Sequence, residues 1–173
     1  PYFRSVGWTC AALAFSFRGF IPLKGAHSFP LNLWNISMGL SGTGKTATQQ
    51  FRDAILDIVF EEEGLDSSYQ LGSDSSQQGI NLALLERDGH PSFFAAEEAS
   101  GFFKELSTRD WNAGFPDMLS KWYDGNVPPS NKLNLKEFRG KSAKTAFTIQ
   151  MFATPDRLVE ALTRYMFFSG FLA

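Results

Sequence analysis

The sequence predicts an α/β layered domain with a mostly parallel central sheet, and three observations predict it. Short apolar runs of strand length, such as LNLWNISM, SFFAAEE and TAFTIQMFA, alternate with longer stretches whose apolar residues recur at helical spacing. Glycine and proline punctuate the joins between them. Finally, 173 residues with 43% hydrophobic content suffice for one domain with a sizeable core and are too few for two comfortable ones. Strands alternating with helices feed a parallel sheet, because each return to the same end of the sheet needs a crossover.

The elements follow in order. Residues 4–17 have helical composition, and the apolar run WTCAALAFSF within them is cut by Arg18 before it reaches the roughly 18 residues of a membrane span. It reads as a core helix and, lacking a cleavage site, not as a signal peptide. RGFIPLKGAHSFP, with its glycines and prolines, reads as a loop, so residues 1–29 form an N-terminal helix and loop ahead of a core at 30–173. LNLWNISM is a short buried strand ending in glycine. TATQQFRDAILDIVFEEEG places Phe51, Ile55, Ile58 and Val59 at helical spacing, with Gly64 as the stop and Glu61, Glu62 and Glu63 as a solvated end.

Next, SYQLGSDSSQQGINLALLERDGH predicts a short strand and a helix that buries Ile80, Leu84 and Leu85 and is capped by its serines or Asp74. PSFFAAEEASGFFKEL predicts a strand, two glutamates and a short helix; PDMLSKWYDG predicts another helix, ended by Gly125. NVPPSNKLNLKEFRGKSAK is a polar loop or hairpin. TAFTIQMFATPDRLVEAL is a strand, a turn at Thr154 and Pro155, and a helix with proline in its first turn. The opening at Pro1 and the ending FFSGFLA predict a piece of a longer chain, truncated at both ends.

Charge and cysteine content narrow the function. A net charge of -2 does not describe a polyanion binder, so any nucleic-acid contact must be local. Cys10 is the single cysteine, which excludes an intrachain disulfide and a zinc cluster and makes a reducing cytoplasm the simplest setting. With only His27 and His90, a histidine-rich metal site is equally disfavoured.

The segment Gly39-Leu40-Ser41-Gly42-Thr43-Gly44-Lys45-Thr46 satisfies G-x-x-x-x-G-K-[ST] at every fixed position. Its glycines let the backbone wrap with amides pointing inward, and the helix starting near Lys45 offers unpaired N–H groups and the positive end of its dipole to the same anion. Lys45 is expected to reach the β- and γ-phosphates and Thr46 to place its hydroxyl on Mg²⁺. Gly39, Ser41, Gly42, Thr43, Gly44, Lys45, Thr46 and Ala47 therefore form the expected nucleotide cradle. The bland alternative is a glycine-rich turn carrying an incidental lysine. A predicted strand before it and a helix after it favour the cradle.

Hydrolysis of a triphosphate asks for carboxylates at the end of a neighbouring buried strand. SFFAAEE supplies Glu97, assigned to magnesium, and Glu98, assigned to the attacking water. Glutamate at the first position departs from the commoner aspartate, and both could instead be solvated at a helix start. Thr154, after the apolar strand TAFTIQMFA, is a candidate sensor of the γ-phosphate or the attacking water, and equally a cap for the helix that begins at Pro155.

In the order LNLWNISMGLSGTGKT, YQLGSDSSQQGINLALLERDG, FFAAEEASGFF, MLSKWYDG, FTIQMFATPDRLVEAL and SGFLA, the chain resembles a widespread family of P-loop domains from bacteria and their mobile elements. That family, a domain family of unknown function, is similar to RecA-like replicative helicases and to the helicase parts of primase-helicase proteins. The resemblance implies a RecA-like three-layer P-loop NTPase core that binds ATP and Mg²⁺, hydrolyses ATP and works as a homo-oligomeric ring, with nucleotide between subunits. Family members continue past the SGFL block with an arginine; here Arg109, Arg139 and Arg164 are the internal candidates for a finger acting across subunits.

NKLNLKEFRGKSAK carries Lys132, Lys136, Arg139, Lys141 and Lys144 against Glu137 alone, a local cationic patch for single-stranded DNA, with Phe138 available to stack. The alternative is an ordinary solvated loop. The phenylalanines, Phe51 and Phe147 among them, read as core. Three functions compete: a motor ATPase of replication, a P-loop kinase, for which no arginine-rich lid is evident, and a non-catalytic nucleotide-dependent switch or assembly module.

Overall fold

The computed structural model describes residues 2–19, 21–22, 28–66, 69–72, 75–87, 90–108, 115–130, 133 and 135–162. Helix α1 (Tyr2–Ser16) leads into a minimal antiparallel pair, β1 (Ile21–Pro22) and β2 (Ser28–Phe29). Strand β3 (Trp34–Met38) then runs into α2 (Lys45–Glu62), β4 (Gln70–Leu71), α3 (Gln77–Glu86), β5 (Ser92–Ala96), α4 (Ala99–Thr108) and α5 (Phe115–Tyr123). A second short antiparallel pair, β6 (Asn126–Val127) and β7 (Ala143–Lys144), brackets a 3-10 turn at Lys136–Phe138 before β8 (Phe147–Ala153) and α6 (Pro155–Ala161). The α/β expectation holds.

The central sheet has four strands in the order β3-β8-β5-β4, and every pairing in it is parallel. From β3 the chain crosses by α2 to the far edge, then turns back by α3 to β5. A reversal of direction with right-handed crossovers puts the two helices on opposite faces. The late strand β8 fills the gap between β5 and β3, and the register sets Met38 beside Ala153 and Ala96 beside Met151.

Side-chain alternation along β5 and β8 divides the interior into two cores. Phe93, Ala95 and Phe152 meet Val6, Cys10 and Leu13 of α1 and Leu56 and Phe60 of α2. Phe94, Ala96, Phe147, Ile149 and Met151 meet α3, α4, α5 and α6 through Leu84, Phe103, Trp122 and Leu158. The result is three layers. Burial on both faces is why SFFAA and FTIQMFA read as near-continuous apolar runs. Phe147 anchors the second core with edge-on contacts to Trp122 at 5.6 Å and Trp34 at 6.1 Å.

Several expectations change. The loop expected at residues 18–30 contains the β1/β2 pair. Strand β3 is half-buried rather than buried, because it is the outer strand of the described sheet. In α2 the buried stripe is Thr48, Arg52, Leu56 and Phe60, at every fourth position; Phe51 and Ile58 are 39% and 61% exposed. The predicted stripe was displaced because Thr48 and Arg52 do not score as apolar, yet they lie on the face that α1 covers. Phe51 is therefore not core, whereas Phe147 is. Helix α1 is the core helix that its apolar run predicts, supplying Val6, Cys10 and Leu13 to the first core. Burial pushes the Cys10 thiol up to about 12, with Arg52 opposing and Asp53 adding to the shift. Among the described residues no helix is long and apolar enough to cross a membrane.

One polar seam crosses the first core. Gln150, fully buried in β8, accepts from Thr9 Oγ1 at 2.8 Å, and its Nε2 lies 3.2 Å from both Asn35 Oδ1 and Ser37 Oγ of β3. Ser5 of α1 joins at 2.8 Å from Ser37 Oγ. These bonds fix how α1 sits across β3 and β8, because sliding it would strand buried polar atoms. Gln150→Leu keeps the volume and removes the bonds, and is expected to lower unfolding stability by about 1–3 kcal/mol, read as a drop in the urea midpoint at constant slope.

Candidate functional site

At the carboxyl end of the sheet, the starts of α2, α4 and α6 converge on the tips of β3, β5 and β8. Open parallel sheets bind ligands in such a crevice, since nothing in the layered packing fills it. The segment Gly39–Thr46 leaves β3 here and is tied to β8 at once, Gly39 N donating to Ala153 O at 3.0 Å. Gly42 and Gly44 take φ of 79° and 85°, a left-handed backbone that side chains disfavour.

Gly44 is also the N-cap of α2, and among the described residues no side chain caps that helix. Helix α3, by contrast, is capped by Ser76, whose Oγ accepts from Gly79 N at 3.1 Å. The opening turn of α2 thus presents amides with no side-chain acceptor and no acidic residue in its first turn. Ser41, Gly42, Thr43, Thr46 and Ala47 are exposed along this rim.

Lys45 turns back from the helix start toward the sheet. Its ammonium donates to Gly39 O at 3.3 Å and to Thr154 Oγ1 at 3.1 Å. Thr154 Oγ1 in turn donates to Glu98 Oε2 at 3.2 Å, and Thr154 N donates to Glu98 Oε1 at 3.3 Å. The order of strands makes this chain possible, because β8 lies between the strand that carries the loop and the strand that ends in the glutamates. Both acceptors on Lys45 are neutral, so the cation has no carboxylate partner among the described residues.

Of the two readings of Thr154, the cap is set aside: it occupies the N-cap position of α6 but makes no side-chain capping bond there. Its hydroxyl bridges Lys45 and Glu98 instead.

The two glutamates part company. Side chains at successive positions of a chain leaving a strand point apart. Glu98 faces Thr154, while Glu97 is exposed and does not join these contacts. Partial burial would raise the Glu98 carboxyl, but hydrogen bonds from Ser100 Oγ, Thr154 N, Ser100 N and Thr154 Oγ1 together hold it below its ordinary value of 4.5. It stays ionised at neutral pH.

Sequence reasoning missed Tyr2. Its hydroxyl donates to Met38 O at 2.9 Å and lies 3.2 Å from Thr43 Oγ1, bracing both ends of the loop. A Cβ on Gly39 would overlap that hydroxyl and come within 2.5 Å of the ring carbon Cζ. Gly39 is thus a glycine for room rather than for a positive φ. The contact joins residues far apart in the chain, and no local pattern signals it.

The cationic segment lies elsewhere. It immediately precedes β8, and the seven residues of that strand separate it from the Thr154 tip by about 20 Å at the usual rise. Arg139 Nε donates to Leu133 O at 2.8 Å and Lys144 Nζ to Asn126 Oδ1, both local ties. Lys141 covers the Phe138 ring at 5.1 Å, and Phe138 packs on the second core, so its face is not free to stack. Lys136 is exposed. Lys132, Asp74, His27, Arg109, Arg164 and the SGFLA block lie outside the described residues.

Comparison with protein-family models, with curated proteins and with solved structures returned no match.

Gly39→Ala is expected to displace the Tyr2 ring, and a double-mutant cycle with Tyr2→Ala should return a coupling of about 0.5–3 kcal/mol in unfolding free energy. The depressed Glu98 carboxyl fixes a second outcome. The stabilisation that ionised Glu98 contributes over Glu98→Gln is full above pH 4.5 and fades as the pH falls through the lowered folded-state value. Unfolding curves of both proteins across the acid range check this.

Proposed function

We propose that the crevice binds a nucleoside triphosphate with Mg²⁺ and hydrolyses it, as the ATPase core of a RecA-like, helicase-related P-loop protein. The observation that carries the reading is the line Lys45–Thr154–Glu98 across the tips of adjacent strands, beside an uncapped helix start. An ammonium with no carboxylate partner among the described residues, a row of amides and an ionised carboxylate at one rim match the charge of a polyphosphate with its metal.

Gly42, Thr43 and Gly44 wrap the β-phosphate with their amides, and Lys45 exchanges Gly39 O and Thr154 for β- and γ-oxygens. Thr46 and Glu98 would hold Mg²⁺, a donor set that suits an ion which keeps waters and shares phosphate oxygens. Bound there, Mg²⁺ would supply neutralisation of the phosphate charge. Glu98, held ionised, accepts a hydrogen bond from a water in line with the γ-phosphorus and takes its proton as the water oxygen bonds to phosphorus; the bond to the bridging oxygen breaks, leaving a diphosphate and inorganic phosphate. Thr154 reports the state of the γ-position to β8 and α6. Single-stranded DNA and a homo-oligomeric ring belong to the same reading.

A second reading has one observation in its favour: Glu98 alone of the two glutamates is brought to Lys45 and Thr154, and it would have to serve both metal and water. On that reading nucleotide binding sets assembly and turnover is slow or absent.

The deciding experiment titrates the protein with Mg·ATP by calorimetry and follows phosphate release with and without single-stranded DNA. Lys45→Ala is expected to weaken ATP binding roughly 10- to 100-fold, the worth of a charge-assisted bond, and to abolish release. Equal binding by the variant removes Lys45 from the site and the proposal with it. Binding without release selects the switch.

A further inference from the structure

Beside the loop lies an apolar groove of about 450 Å³ between the first turn of α1 and the start of α2. Tyr2, Phe3, Met38, Thr43, Gly44 and Ala47 line it. It shares Thr43, Gly44 and Ala47 with the phosphate cradle, so the two are continuous. Its volume falls within the roughly 300–1,000 Å³ usual for small-molecule sites.

The walls are unusual for an exposed surface. Phe3 is 52% exposed and Met38 58% exposed. Phe3 is held in place by an edge-on contact with Phe51, ring centroids 5.2 Å apart at 70°, which leaves the rest of its ring uncovered. Tyr2 is fixed by its hydroxyl at Met38 and Thr43 and by an edge contact with Phe152 at 6.3 Å. A pre-set aromatic surface next to an anion cradle suits a ligand that is charged at one end and flat and apolar at the other.

We infer that this groove takes the base and ribose of the nucleotide whose phosphates Gly39–Thr46 hold, with Phe3 as the stacking face and Tyr2 as the positioning residue that keeps α1 against the loop. The inference rests on the phosphate reading above and deepens it. Lys45, Thr154 and Glu98 mark the γ-end of a bound triphosphate. The nucleoside end then extends past Thr43 and Ala47 into the groove, whose described lining includes these two residues and none of Lys45, Thr154 and Glu98. Among the described residues the groove lining contains no charged side chain, and its side-chain hydrogen-bonding groups are hydroxyls. Stacking on a phenyl face is tolerant of which base is present. Adenine and guanine nucleotides should therefore bind within a few-fold of one another.

The test compares ATP, GTP and inorganic tripolyphosphate, each with Mg²⁺, on the unaltered protein, Phe3→Ala, Phe3→Leu and Lys45→Ala, with thermal unfolding as the check that each variant is folded. Phe3→Ala is expected to weaken both nucleotides about tenfold and to leave tripolyphosphate unchanged, with Phe3→Leu between. Lys45→Ala should weaken all three ligands. If Phe3→Ala and Phe3→Leu leave nucleotide affinity unchanged, or weaken tripolyphosphate equally, the base does not sit here and the inference falls while the cradle stands. Loss of self-association in Phe3→Ala, with nucleotide affinity intact, would assign the groove to a second copy and overturns the inference in the same way. A protein that binds neither tripolyphosphate nor nucleotide defeats the phosphate reading itself.

Discussion

Everything at the candidate site depends on the insertion of β8 between β3 and β5. Parallel pairing on both sides of β8 brings its carboxyl end level with the tip of β3 and just past that of β5. Thr154 then stands between a lysine from one neighbour and a glutamate from the other. Each of these side chains is unexceptional alone. Their line of contacts, Lys45 to Thr154 to Glu98, exists because a late strand returns to the middle of the sheet. The ladder hydrogen bonds and the two cores clamping β8 from either face hold it there.

A second constraint is electrostatic. The rim carries positive charge with no direct ion pair among the described residues: the first turn of α2 has no side-chain cap and no acidic residue, and Lys45 donates to the neutral oxygens of Gly39 and Thr154. Placing Glu98 one hydroxyl away from the ammonium keeps a negative charge nearby without quenching the cation. The same hydroxyl helps depress the carboxyl, so charge at both ends of the line persists at neutral pH.

Helix α1 links the far end of the molecule to this rim. Its buried polar contacts with Gln150 and Ser37 set its position across the sheet, and its first turn carries Tyr2 to the loop. One helix thus touches both the polar seam on β3 and the Gly39–Thr43 segment. The room that glycine provides at position 39 is occupied by the phenol of a residue from another element, a different use of glycine from the left-handed turns at 42 and 44.

The local vocabulary of this protein was legible in the chain. Alternating apolar runs and helical periods gave the layered α/β class; Ile80, Leu84 and Leu85 on α3, the strand FTIQMFA and the proline-started helix after it stand where their patterns put them. So does the glycine-rich passage from β3 into α2, because turn and cap chemistry is set by neighbours in sequence. What the residues could not give was partnership. The α2 stripe was displaced because a threonine and an arginine are buried in line with Leu56 and Phe60, the α2 residues that share a core with α1. Glu97 and Glu98 are equivalent as letters and are separated by the direction in which each leaves β5. Whether Thr154 caps a helix or bridges two charges depends on which strands flank it, and Tyr2 reaches Thr43 across 41 positions. Sequence determined where the strands, helices and glycine turns lie, since those are governed by short-range sterics and periodicity; tertiary structure decided which side chains meet, since that follows from strand order and packing between segments remote in the chain.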